Sequence, residues 1–190
     1  MIENASGRKR KARAEDAGHA AIPQTRTPAL GAAPRQPSTE DAWKRFAYEL
    51  CESLGGLEED EFLNITVKGT SRYVQFAAQG AFGMRAEATS DFYLPDDEHL
   101  DEDDYRRLLE LGWHAPTNLP DEFGHKADGS PNYFVDLAKP VPLDDVAITA
   151  VNTLTGIFGA EHPGDLEYSA FSKSGQSIRF PNLGIRRGAT

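Results

Sequence analysis

Apolar residues along this chain change their spacing repeatedly, and each change marks an element. Trp43, Phe46, Ala47, Leu50, Cys51 and Leu54 fall at i, i+3, i+4, i+7, i+8 and i+11, one continuous apolar face at helical period. Ser38 or Thr39 can cap the first free amides, Glu40 and Asp41 suit the positive end of the helix dipole, and Gly55 and Gly56 follow the last turn. Burying Trp43, Phe46, Leu50 and Leu54 contributes roughly 6 to 12 kcal/mol gross, less than the cost of ordering about fifteen residues. The helix therefore needs a sheet to lie on.

The sheet follows at once. Leu63, Ile65 and Val67 alternate with Asn64, Thr66 and Lys68; Val74, Phe76 and Ala78 with Tyr73, Gln75 and Ala77; Met84, Ala86 and Ala88 with Arg85, Glu87 and Thr89. A period of two in each run predicts three strands. Gly69 to Ser71 and Gly80 with Ala81 supply short turns, so consecutive strands should pair antiparallel as a meander. One face goes to the core, and the other carries Tyr73, Gln75, Arg85 and Glu87.

Beyond Phe92, Tyr93, Leu94 and Pro95, acids run from Asp96 to Asp104. A calcium loop needs oxygen ligands at fixed offsets around a turn glycine, and this run has none, so helix capping explains it better. Asp101 sits at a cap position, with Asp104 three residues on as a capping-box acid. Tyr105, Leu108, Leu109 and Leu111 give this second helix its apolar side, Gly112 ends it, and Trp113 folds back as a C-terminal hydrophobic contact. After an irregular stretch over residues 114–131, strand character resumes at Asn132 to Leu137. A third helix starts after Pro140 and Pro142, with Asp144 and Asp145 in its first turn and Gly159 beyond its end. Its face, Leu143, Ala147, Ala150, Val151, Leu154, Ile157 and Phe158, is broad enough for a second subunit to share, or to pack wholly inside one chain. Leu166 to Phe171 and Ile178 to Phe180 flank the turn residues Ser172 to Gly175, which reads as a hairpin or strap.

Charge divides the chain. Residues 1–38 hold seven Lys or Arg against three Asp or Glu, net +4, while the remainder holds thirteen against twenty-seven, net −14, out of a total of −10. Prolines, alanines and few large apolar side chains make residues 1–38 a disordered basic arm, with an α+β domain over 39–160 and the hairpin or strap over 161–190. The basic arm is a possible nucleic-acid or membrane tether, yet a solvated tail accounts for it as well. The acidic part repels phosphate backbones, so the folded domain should not take nucleic acid. One cysteine permits no internal disulfide, no apolar segment follows the basic start, and none has the roughly 20 residues of a membrane span. A soluble protein of a reducing cytoplasm is expected.

Chemistry is sparse. His114, Asp121, Glu122, His125 and Asp128 are the candidates for a metal or acid-base site, but the histidines are far apart in a loop and have no short-spaced partner. Cys51 lies on a helix face that should be buried and inert, and neither a nucleophile elbow nor a phosphate loop occurs. No catalytic residue, cofactor or metal is therefore assigned. Binding is the better expectation.

The opening helix, the strand Tyr73 to Ala78, its partner Met84 to Glu87 and the block Leu108, Leu109, Glu110, Leu111, Gly112, Trp113 resemble the actinobacterial relatives of YbjN and the type III secretion chaperones. Asn132, Tyr133 and Phe134, the closing helix and Asp165 to Phe171 are similar to later blocks of that family. The resemblance covers residues 40–185 and implies an antiparallel sheet, three strands plus a later one, packed with three helices. It also implies a surface that holds an extended peptide of a client protein, and homodimers in members of the secretion type. Tyr73, Gln75, Arg85 and Glu87 on the outer sheet face, with Trp113, are the candidate peptide contacts.

Overall fold

A computed structural model describes residues 38–117 and 129–188. The basic arm, except Ser38, lies outside the described residues, as do Asp121, Glu122, His125 and Asp128.

The first helix, α1 (Thr39–Gly55), begins where the side-chain chemistry requires. Ser38 is the N-cap, its hydroxyl accepts the Asp41 amide at 3.1 Å, and the Asp41 carboxylate accepts in return from the Ser38 amide, closing a capping box. Phe46, Leu50 and Leu54 point into the core. Three strands follow, β1 (Glu61–Val67), β2 (Tyr73–Ala78) and β3 (Met84–Ala88), antiparallel in sequence order as the alternation predicts.

The acidic run caps α2 (Glu102–Glu110). Asp101 accepts the Asp104 amide at 2.8 Å, with the reciprocal bond also made. At its end Gly112 adopts a φ of 95°, the Gly112 amide donates to the Leu109 carbonyl and the Trp113 amide to the Leu108 carbonyl. This Schellman arrangement turns the chain so that Trp113 drops into the core beside Leu108, both nearly inaccessible. Leu109 departs from expectation: it is 52% exposed. Adjacent helical residues stand about 100° apart, and in so short a helix the stripe centred on Leu108 leaves Leu109 outside.

The sheet is larger than three strands plus one. Its order is β4-β3-β2-β1-β5-β6, with β4 (Tyr133–Leu137) outside β3 and β5 (Leu166–Ser172) against the far side of β1. The segment expected to be a hairpin or strap is therefore in part an interior strand, in register with β1 from Glu61↔Ser172 to Val67↔Leu166. After the turn at Ser172 to Gln176 the chain pairs briefly beside β5, inserts Leu183 into the core and passes over α1 near Tyr48, Glu49 and Glu52. It closes as β6 (Arg186–Arg187), parallel to β5.

Helix α3 (Leu143–Gly156) packs against α1 and β2. Its breadth follows from those two neighbours, and of its large apolar residues only Ile148 is exposed. The described helices therefore share one face of the sheet. The core between them holds Leu63, Ile65, Val74, Phe76, Ala86 and Leu166, each essentially inaccessible.

Cys51 faces α3 from α1, its thiol 3.2 Å from an Asp144 carboxylate oxygen. Burial first, and then the Asp144 carboxylate, push the thiol up to about 11. The thiolate fraction near pH 8 then falls by about a hundredfold relative to an ordinary cysteine. Alkylation by iodoacetamide should be slower than that of free cysteine by about the same factor, and Asp144→Asn should speed it. A rate equal to that of the free thiol would contradict the placement.

Candidate functional site

The second face of the sheet carries every other residue of β1, β2, β3 and β5, and no helix among the described residues covers it. The register lays these side chains out in rows. Phe171, Phe62, Ala77, Arg85 and Asp136 form one row; Ser169, Asn64, Gln75, Glu87 and Phe134 the next; Glu167, Thr66 and Tyr73 begin the third. The C-terminal segment crosses the helical side of the sheet; on the second face the side chains of β1, β2, β3 and β5 are partly exposed, and Gly129 and Ser130 lie against its β3 end.

Apolar and polar groups alternate across it. Phe62 and Phe171 stack with centroids 5.3 Å apart and planes 18° from parallel. Arg85 forms a bidentate pair with Asp136 at 2.7 and 2.8 Å, donates to the Gly129 carbonyl at 3.1 Å and lies over the Phe134 ring, 5.2 Å from its centroid. Planar, two-point pairing of this kind fixes both side chains. The Gln75 amide donates to Glu87 at 3.1 Å, and the Ser130 hydroxyl donates to the other Glu87 oxygen at 2.7 Å. Ser130 also accepts the Asn132 amide, and the Asn132 side chain donates to the Tyr73 hydroxyl at 3.2 Å. Burial pushes the Tyr73 phenol up, so it stays protonated and keeps an O–H to donate. In the middle row the Asn64 side-chain oxygen is buried and has no hydrogen-bond partner among the described residues. Such an orphan acceptor is uncommon in a native fold.

Tyr73, Gln75, Arg85 and Glu87 thus stand together on one face, three of them joined through Ser130 and Asn132. Trp113 does not join them. It is 3% exposed on the opposite side of the sheet, its indole N–H donating to Thr153 at 2.9 Å, and its accessible edge borders a small apolar cavity with Leu111, Val135 and Val146. Phe62, Asn64 and Phe171 belong to the face and are absent from the sequence-based candidates. The phase of β1 puts Phe62 in step with Asn64 and Thr66, a signal present in the sequence; Phe171 joins them only because β5 pairs with β1.

Of the loop candidates only His114 is described. It is exposed, pairs with Phe134 through two backbone hydrogen bonds of 2.8 and 3.1 Å and so covers part of the outer edge of β4. Among the described residues no group of three or more His, Cys, Asp or Glu is placed to hold a metal ion. No described helix is long and apolar enough to cross a membrane.

Among the described residues, a six-stranded, mostly antiparallel sheet with three helices on one side and a mixed-polarity face on the other defines an α+β domain of the secretion-chaperone type. The chain belongs to TY-Chap3, the family described as T3SS (YopN, CesT) and YbjN peptide-binding chaperone 3, whose model matches residues 36–172. Neither a curated protein nor a solved structure matches it significantly. The family indicates a chaperone of the peptide-binding type, and the match includes every strand of the open face except β6.

Proposed function

We propose that this protein is a non-enzymatic cytoplasmic chaperone or adaptor that holds an extended segment of a client protein against the open sheet face. The observation that carries this reading is the face itself: a stacked aromatic pair beside a fixed row of donors and acceptors, with no described helix over it. An extended peptide presents side chains at alternate positions and unsatisfied main-chain groups between them. Phe62 and Phe171 offer the apolar seat, while Tyr73 and Gln75 offer hydrogen bonds. The negative charge of the folded part favours a client segment that is basic or neutral.

Capture from the native lysate on immobilised full-length protein should recover a defined client. The double variant Phe62→Ala, Gln75→Lys should lose most of it while keeping the wild-type circular dichroism and melting temperature to within a few degrees. Recovery of no protein by the wild type, or equal recovery by the folded variant, would refute the assignment.

A further inference from the structure

A second candidate surface lies at the end of the sheet where β3 runs out, on residues the open face does not use. A cleft of about 350 Å³ is lined by Ser90, Asp91, Phe92, Tyr105, Pro116, Pro131 and Tyr133. Its walls are aromatic rings and proline. Tyr105 and Tyr133 stack at 6.4 Å, and Phe92 meets Tyr93 edge-to-face at 4.6 Å. Phe92 is 45% and Tyr93 49% exposed, adjacent large rings in solvent, although the fold gains little from leaving them there. The rings are held in place: the Tyr105 hydroxyl donates to the Asp91 carboxylate, whose other oxygen accepts the Leu100 amide at 2.9 Å. That bond, with burial, pushes the Tyr105 phenol up to about 12.

The stretch of chain that carries Phe92 and Tyr105 is strongly acidic. Residues 91–107 contain eight carboxylates against Arg106 and Arg107. Arg106 is engaged by Asp103 and Glu110, and Arg107 lies near Asp104. Across the loop, Arg72 donates to the Glu98 carbonyl. Asp91 lines the cleft, and Asp96, Asp97 and Glu102 lie on the same stretch of chain between Phe92 and Tyr105; among the described residues none of the four pairs with an arginine or lysine.

We propose that this cleft binds a basic, proline-containing extended segment of a partner protein. Proline locks a chain near the polyproline II conformation, so such a segment docks on aromatic ridges at small entropic cost. Its arginines or lysines meet the carboxylates of the 91–104 stretch and the exposed ring faces. The cleft uses none of the side chains assigned to client binding on the second face, although Asn132 borders both, accepting the Ser90 amide and donating to the Tyr73 hydroxyl.

The probe is a fluorescein-labelled dodecapeptide of repeating Arg-Pro-Pro, titrated with the full-length protein and followed by anisotropy. It should bind saturably, and Phe92→Ala with Tyr93→Ala should weaken binding by about tenfold or more. Both side chains are exposed, so the variant should fold. A Glu-Pro-Pro repeat should not bind, and an Arg-Gly-Ser repeat should bind at least about fivefold more weakly, because charge alone is not the recognition. The open-face variant Phe62→Ala, Gln75→Lys should bind the Arg-Pro-Pro peptide as the wild type does, which separates this site from the client face. No saturable binding, equal binding of the Arg-Gly-Ser peptide, or binding unchanged by loss of Phe92 and Tyr93 would each overturn the proposal.

Discussion

Replacing Phe76 with alanine should cost about 3–5 kcal/mol, whereas replacing Phe62, on the neighbouring strand and the opposite face, should cost only about 1 kcal/mol. Phe76 is fully buried, flanked in register by Leu63 and Ala86 and covered by the helical layer. Truncation there leaves a cavity that rigid neighbours on two strands cannot close. Phe62 is half-buried and loses mainly its stacking with Phe171. Total stability of a domain this size is typically about 5–15 kcal/mol, so Phe76→Ala should be partly unfolded at 37 °C while Phe62→Ala is not. Urea denaturation followed by far-ultraviolet circular dichroism separates the two. Their order matters for function as well: a side chain that contributes little to stability on an open face is free to contribute to binding. Equal losses at the two positions would mean that the Phe62 face is covered in solution.

Local chemistry made the first half of the fold legible. The Ser38 and Asp101 caps, the turn at Gly112, the return of Trp113 and the registers of β1, β2 and β3 each depend on residues within a few positions of one another. Four of the five candidate contacts fall on one face for the same reason, since strand period alone assigns Tyr73, Gln75, Arg85 and Glu87 to it. What could not be read is the choice of partner over long separations. Leu166, Tyr168 and Ala170 alternate like any half-buried strand, and nothing local says that they pair with Val67, Ile65 and Leu63 rather than with their own hairpin. The Phe62–Phe171 stack and the role of Ser130 and Asn132 in bracing Glu87 and Tyr73 inherit that difficulty. The aromatic cleft is harder still, because Phe92, Tyr105 and Pro131 come from three separate segments.

Gly83→Ala should destabilise the protein by at least about 2–3 kcal/mol, far more than the same change at Gly69. Gly83 is buried at the start of β3 with φ 107° and ψ −125°, a region that side chains rarely enter. A methyl group there would also stand 1.9 Å from the Leu137 carbonyl oxygen and 3.1 Å from the Ala138 Cα, both backbone atoms unable to swing aside as a side chain can. Relief requires β4 to move, which breaks the Met84↔Leu137 pair and strains the next one, Arg85↔Asp136. Gly69 has a φ of 75° but no atom within 4 Å of the added carbon, so Gly69→Ala should cost only about 1 kcal/mol from the backbone. Denaturation midpoints of the two variants give the comparison, and amide exchange at Val135 and Leu137 should accelerate in Gly83→Ala alone. Because Asp136 fixes Arg85 on the open face, the Gly83 variant should also bind client more weakly under conditions where it remains folded. Equal stability of the two variants would mean that β4 does not pass so close to Gly83, and the Arg85–Asp136 pair would lose its structural basis.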